Sequence, residues 1–481
     1  MKHYQFVLII VCLTLFQVVS ADDFTPVEIE RSITTVQPMT GLVLWSNQGE
    51  VEEYTDAIAL EFSYCLPCKV VKGKKDGKIL YDWSYFEDIL DDIASRNHQG
   101  VIRFRYENPG NTEVGKTGAT AVPDYIKNMS GYNETYNNTS SGKTYYADWS
   151  NEELKWFSKQ FITDFNEQYK DDPRIAVIQL GFGHWSEGHI YGTDLKFGVN
   201  FPTKEYQSEY YKHVSNTLEI PWGISISGGD EYYSPIPNNE ELLQLPFGAF
   251  DDSFMHEGHE LSTGEGWNEY CWDGMGKEYR GDKGICGGEI SYYTSSDQKN
   301  FLNPKGMYGW TWEAAAAKYH ISYMLAGSAP GSKYATVERF REAGIAVGYT
   351  FRVSDCRTNG QETHLIVSNQ GIAPIYRDAY FTIGDTKSPI SLRGLLPEKG
   401  MEIVIPAGLT NADELQIVSP YILSSQKIEF ETGSFTGEIV PPVGVENVYD
   451  QNQGVIKQMR NGRIVIIRNN VIYNLMGQVE K

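Results

Sequence analysis

The chain has 481 residues, with 63 Asp and Glu against 41 Lys and Arg and a net charge of −22. A surface this acidic repels nucleic acid and anionic lipid, so neither is an expected partner. The length exceeds the roughly 250 residues of one large barrel, so at least two domains are expected. Ten Trp and 32 Tyr suit stacking on the apolar faces of neutral sugars, although a core position is the default for any single ring.

The first segment, residues 1–21, has a short charged start, an apolar run too short to span a bilayer and a small-residue exit at Val19-Ser20-Ala21. It reads as a cleaved signal peptide, which places the protein outside the cytoplasm: periplasm, cell surface or medium. No later segment is long and apolar enough for a transmembrane helix. Cys12 leaves with the signal. Of the five cysteines that remain, Cys65 with Cys68 and Cys271 with Cys286 are the expected pairs in an oxidising compartment, in preference to a metal site.

Eight apolar runs follow within residues 22–343: GLVLWSN (41–47), AIALEFSY (57–64), GVIRFRY (100–106), IAVIQLG (175–181), GISIS (223–227), GAFDDSF (248–254), ICGGEIS (285–291) and HISYMLA (320–326). Helical patterns lie between several of them. Ser84 to Glu87 and Ser150 to Glu153 read as capping boxes, each ahead of apolar residues at helical spacing. A helix over 204–218 and the run TWEAAAAKY (311–319) fill two later gaps. Eight strand-helix units predict an α/β fold, a closed (β/α)8 TIM barrel.

From 344 to 432 the pattern changes to strands without helices, as in THLIVSN and MEIVIPA, which predicts a β-sandwich. A linker at 433–447 precedes a basic, β-rich tail at 448–481, read as a sorting or attachment element.

Function in such a barrel gathers at the C-terminal ends of the strands. The run LGFGHWSEGH therefore sends His184, Trp185, Glu187 and His189 into the mouth after strand four, and GGE brings Glu289 there after strand seven. Two glycines before Glu289 are expected to let a ligand approach the backbone. Two carboxylates across a barrel mouth are the machinery of glycoside hydrolysis. Arg103, Arg105 and Glu107 share one face of strand three. If that face points inward, an arginine holds a glutamate ionised, or else forms an interior ion pair that supports the barrel. Trp45, Tyr64, Tyr106, Trp185, Trp310 and Trp312 are candidate sugar platforms. His256 and His259 lack the helical spacing of a zinc pair and read as a polar wall of the cleft, so no metal and no cofactor is expected.

This arrangement resembles glycoside hydrolase clan A, whose barrels carry an acid/base glutamate after strand four and a nucleophile glutamate after strand seven. Within that clan the chain resembles a group of secreted Bacteroidetes proteins with a tryptophan-x-glutamate-x-histidine-like motif, a GGE motif and an appended β-sandwich. Residues 36–425 carry the resemblance, chiefly YKDDPRIAVIQLGFGHWSEGH and VSNQGIAPIYRDAYFTI, and the terminal RNGRIVIIRNNVIYNLMGQ resembles tails on exported proteins of the same bacteria. The resemblance implies Glu187 as acid/base and Glu289 as nucleophile of a polysaccharide- or oligosaccharide-cleaving enzyme. The chain departs from it at Ser186, where clan A commonly has an asparagine that bonds the sugar 2-hydroxyl. A carbohydrate-binding barrel without catalysis is the alternative, and a metal-dependent hydrolase using His256 and His259 is a third reading.

Overall fold

The computed structural model describes residues 24–110, 119–190, 192–259 and 266–441, and the backbone of 455–460, 463–468 and 471–473. Residues 1–23, and with them the expected signal peptide, lie outside the described residues.

Each of the eight apolar runs supplies one barrel strand: β1 Gly41–Trp45, β2 Leu60–Cys65, β3 Gln99–Phe104, β4 Ile175–Leu180, β5 Trp222–Ser225, β6 Gly248–Phe254, β7 Gly287–Ile290 and β8 Tyr323–Leu325. All neighbours pair in parallel, and β8 returns to β1 with Tyr323 opposite Gly41, which closes the barrel. Every residue of β3 and β4 is buried, as expected for strands covered by helices outside and packed side chains inside.

The helix layer includes α1 Ser84–Ser95, α2 Glu152–Tyr169, α3 Lys204–Thr217, α4 Trp267–Gly274, α5 Lys277–Lys283, α6 Trp312–Lys318 and α7 Val337–Ile345. The caps differ from expectation. Asn151, not Ser150, caps α2 by accepting from the Leu154 amide, because the Ser150 hydroxyl is taken by Asp148. Ser84 is already the first helical residue of α1, and its hydroxyl bonds Asp82 at 2.6 Å. The apolar stripe of α2 does meet the barrel: Phe161 and Phe165 pack on Phe104 of β3 at centroid distances of 5.1 and 4.8 Å. Each such ring contributes about 1.5–3 kcal/mol by burial.

Beyond α7 the chain forms two sheets. One holds β9 Phe351–Thr358, β10 Thr363–Asn369 and β12 Lys399–Ile405; the other pairs β11 Tyr380–Ile383 with β13 Leu415–Val418. Alternation of buried and solvated residues in β13 marks a strand with one covered face. Leu365, Met401 and Ile403 share one apolar cluster with Met39, Val101 and Ala176 from the N-terminal ends of the barrel strands. The sandwich thus plugs the end of the barrel opposite the mouth. Short strands at Thr25–Pro26, Glu431–Thr432 and Glu438–Ile439 add to the first sheet. Val455–Arg460, Arg463–Arg468 and Val471–Tyr473 form a separate antiparallel sheet.

Among the described residues no helix is long and apolar enough to cross a membrane. The expected disulfides are absent among the described residues: Cys65, Cys68, Cys271, Cys286 and Cys356 are not disulfide-bonded. Cys65 ends a barrel strand while Cys68 sits in the short helix after it, and Cys286 directs its sulfur to the Gly284 carbonyl.

Candidate active site

Arg103 on β3 points into the barrel and is fully buried. Its Nε donates to Oε1 of Gln179 at 2.7 Å, its Nη1 to Oε1 of Glu187 at 2.7 Å and its Nη2 to Oε1 of Glu289 at 2.6 Å. Gln179 stands opposite Arg103 on β4, and its Nε2 donates to the Tyr323 hydroxyl on β8. The rings of Phe62 and Phe250 flank the guanidinium at 5.1 and 4.7 Å. Burial works against the charge of Arg103, but Glu289 and Glu187 outweigh it and hold its pKa above the ordinary value. Both readings of the arginine meet here: it is an interior ion pair, and it pairs with the two predicted glutamates.

The loop after β4 presents Glu187 through an unusual backbone. Gly183, Trp185, Ser186 and Gly188 all have positive φ, at 74°, 53°, 65° and 81°. For Trp185 and Ser186 this conformation costs on the order of 1–3 kcal/mol each. Surrounding bonds hold it in place. The Trp185 amide donates to the Glu107 carbonyl, the Ser186 hydroxyl to the Phe104 carbonyl at 2.5 Å, and the Ser225 hydroxyl to the Glu187 carbonyl at 2.9 Å. Ser186 therefore reaches back to β3 and not outward to a sugar.

The glycines before Glu289 serve a different purpose from the one expected. A Cβ on Gly287 would lie 2.4 Å from the Tyr323 carbonyl oxygen, and one on Gly288 2.0 Å from that of Asp251. They allow neighbouring strands to approach, not a ligand.

Glu187 is 8% exposed and Glu289 6%. Burial, followed by the charge of Asp252, raises the pKa of Glu187 well above the carboxylate range even with Arg103 beside it. His189 Nε2 lies 3.7 Å from Glu187 Oε2, and its pKa is lowered to about 3, mainly by burial, so the ring is neutral. His184 is completely buried, stacks on Tyr146 at 5.3 Å and is lowered to about 4 by burial.

The other predicted residues divide. Trp45 packs against Phe62 and Tyr64 and directs its indole N–H toward the Tyr292 hydroxyl at 3.4 Å. Tyr64 lies beneath Arg105, 4.1 Å from ring centre to guanidinium carbon. Trp185 is partly exposed. His256 stacks on the exposed Tyr293 at 4.3 Å. Tyr106 turns outward to the helix layer, where its hydroxyl meets Ser158 at 3.0 Å, so it is no sugar platform. Trp312 is core, fully buried with its N–H on the Ala343 carbonyl. Trp310 packs beside Lys318 and the barrel core. His259 is not a cleft wall: it is fully buried and its Nε2 is 2.7 Å from Asp251, which removes the pair needed for a metal-dependent hydrolase.

Sequence reasoning missed Asp252, Gln179, Tyr292 and Tyr293. The signal for Asp252 was present in GAFDDSF, where adjacent acids within a strand must face opposite ways. Glu187, His189 and Asp252 bring donor atoms within 4.8 Å of one another, so they are the described residues with the types and spacing to hold a cation. The Arg103 guanidinium, 2.7 Å from Glu187, sets a positive charge beside that cluster and works against a second cation there.

No protein-family model matches this chain, and no curated protein matches its sequence. Solved structures similar to it include the catalytic domain of β-amylase from Paenibacillus polymyxa, at 11% identity and a TM-score of 0.40 over 65% of this chain and 99% of that one. A family 39 β-xylosidase from Caulobacter crescentus aligns at 10% identity and a TM-score of 0.36, over 74% and 84% of the two chains. A family 39 glycoside hydrolase from Bacteroides cellulosilyticus aligns at 9% and 0.35, over 77% and 81%. At these scores nothing about activity or substrate passes from those proteins to this chain, and the barrel rests on its own strand ladder.

Proposed function

We propose that the protein is a retaining glycoside hydrolase acting on a polysaccharide or oligosaccharide, with Glu187 as acid/base and Glu289 as nucleophile. The observation that carries this reading is the bridge from the buried Arg103 to both carboxylates, which holds them side by side at the C-terminal ends of β4 and β7. In the first step Glu187 protonates the glycosidic oxygen while Glu289 attacks the anomeric carbon. Water then releases the sugar, with Glu187 acting as base. The raised pKa of Glu187 supports its acid role, and Arg103 orients Glu289 for attack. Trp45, Tyr64, Trp185, Tyr292 and Tyr293 offer apolar ring faces for sugar.

The resemblance to secreted proteins supports export by the leader at 1–21, and supports a sorting or attachment role for the tail. A carbohydrate-binding barrel without catalysis is favoured by one observation: Ser186, where related enzymes have asparagine, is bonded to the Phe104 carbonyl. Purified protein tested on a panel of plant, algal and host glycans, beside Glu187→Gln and Glu289→Gln, separates the two. An enzyme releases sugar, and either variant stops release while leaving binding intact. Binding with no turnover in any wild-type assay would establish the second reading.

A further inference from the structure

Two adjacent carboxylates lie within β6, and they have opposite surroundings. Asp251 is fully buried and saturated: His259 at 2.7 Å and Trp272 at 2.9 Å reach Oδ2, while Asn268 and the Ser253 amide, each at 3.0 Å, donate to Oδ1. Asp252, turned the other way by the pleat, is partly exposed in the mouth and has its carboxylate within 4.8 Å of the nearest donor atoms of both Glu187 and His189.

Among the described residues this brings three carboxylates together in the mouth, on Glu187, Glu289 and Asp252. Of the described cations only Arg103 is seen to bind any of them, because His189 is held neutral. Like charges this close in a buried site do not all ionise, so at least one acid keeps its proton. The groups that face Glu187 and Asp252 decide which. Arg103 comes from β3, His189 from the β4 loop, Glu289 from β7, Tyr293 from the loop after β7, Tyr64 from β2 and Asp251 from β6 itself. Asp252 has the solvent, and Glu187 lies deeper.

We infer that Asp252 is a positioning residue whose ionised carboxylate, set against Glu187 at the mouth of the barrel, keeps the acid proton on Glu187. The assignment rests on the proposed roles of Glu187 and Glu289 but concerns a residue to which they give no part. The ordering agrees with the electrostatics. Burial and then Asp252 raise Glu187 well above the usual range, whereas Asp252, raised by burial and by Asp251, titrates at about 7. Above that pH the outer acid is charged, and its charge is what raises the inner one.

The test uses the whole protein with Asp252→Asn, Asp252→Ser and the charge-preserving Asp252→Glu, each checked for folding by circular dichroism. Two readouts are followed over pH: kcat/KM on the best substrate, and the carbonyl stretch of protonated Glu187 by difference infrared spectroscopy, identified by its loss in Glu187→Gln. Removing the charge should move the alkaline limb of the rate profile down by roughly one pH unit, so that activity falls about tenfold at a pH above the limb. The Glu187 band should vanish at correspondingly lower pH, and Asp252→Glu should resemble wild type in both. An unmoved band in Asp252→Asn and Asp252→Ser overturns the inference, as does an activity loss equal at every pH. The infrared readout needs no turnover, so a wild-type protein that cleaves nothing refutes the hydrolase reading and still leaves this one decided by the band.

Discussion

The Ser186 hydroxyl donates to the carbonyl of Phe104 at 2.5 Å, tying the loop that carries Glu187 to the last residue of β3. The strand that supplies Arg103 therefore also fixes the loop that supplies its partner. Ser186→Ala leaves the buried Phe104 carbonyl without this donor, which costs about 1–3 kcal/mol, and releases a backbone held at φ 65°. Thermal unfolding should show a lowered midpoint, and kcat should fall more than KM rises, because Glu187 loses its placement before the sugar platforms do. Wild-type stability with wild-type kcat would show that the loop holds itself.

Arg103 is the one cation in bonding contact with Glu187 and Glu289 among the described residues. Arg103→Met strands two buried carboxylates, and breaking a buried pair in this way costs about 3–5 kcal/mol. The loss should appear as a lowered midpoint of urea denaturation at neutral pH. Arg103→Lys should recover part of the stability but little of the activity, since an ammonium lacks the planar fork that meets both acids at once.

The barrel was legible because each of its strands is a short apolar run flanked by turn residues, and eight such runs admit few arrangements. The placement of Glu187 and Glu289 at the C-terminal ends of β4 and β7 was legible for the same reason: the end of an apolar run locates what stands there. What stayed hidden depends on which way a side chain turns after the strand ends. Tyr106 and Arg105 are neighbours, yet one faces α2 and the other covers Tyr64. Asp251 and Asp252 pose the same problem on β6. The role of Gly287 and Gly288 was misread because the crowding that requires them comes from Tyr323 and Asp251, residues distant in sequence. The cysteine pairs failed because spacing says nothing about which way a buried sulfur points.

Glu187 and Glu289 have different duties, and kinetics should separate them. Loss of the acid matters most when the leaving group is poor, so Glu187→Ala should reduce cleavage of natural glycosides far more than cleavage of activated aryl glycosides. Glu289→Ala should abolish both, because neither substrate forms the covalent intermediate without it. Azide should rescue Glu187→Ala as a glycosyl azide of retained configuration. Equal losses on the two substrate types in Glu187→Ala would remove it from the acid role.

Free thiols give a direct check on the cysteines. Residues 22–481, unfolded without reductant, should titrate five thiols. In the folded protein Cys68, the one cysteine not fully buried, should react first, while burial raises the pKa of Cys286 and Cys356 to about 11 and slows both. Three thiols after unfolding would mean that one disulfide forms.

Glu107 links stability to pH at a residue whose backbone supports the site loop. Its carbonyl accepts the Trp185 amide, and its carboxyl is 1% exposed, with Oε1 accepting from the Ala147 amide at 2.9 Å. Burial raises its pKa to about 8, whereas the unfolded chain ionises it near 4.3. Between those values the folded state binds more protons than the unfolded one, so the contribution of this group to stability is complete below about pH 4.3 and is lost as pH rises toward 8. Within the window the loss approaches about 1.4 kcal/mol per pH unit. Glu107→Gln keeps the shape and an acceptor for Ala147 but has no proton to lose. Its unfolding free energy should match wild type near pH 4 and exceed it increasingly up to pH 8, as read by urea denaturation across that range. Parallel curves for the two proteins, or a variant that is weaker at pH 8, would mean that the Glu107 carboxylate is charged in the folded state and is solvated there.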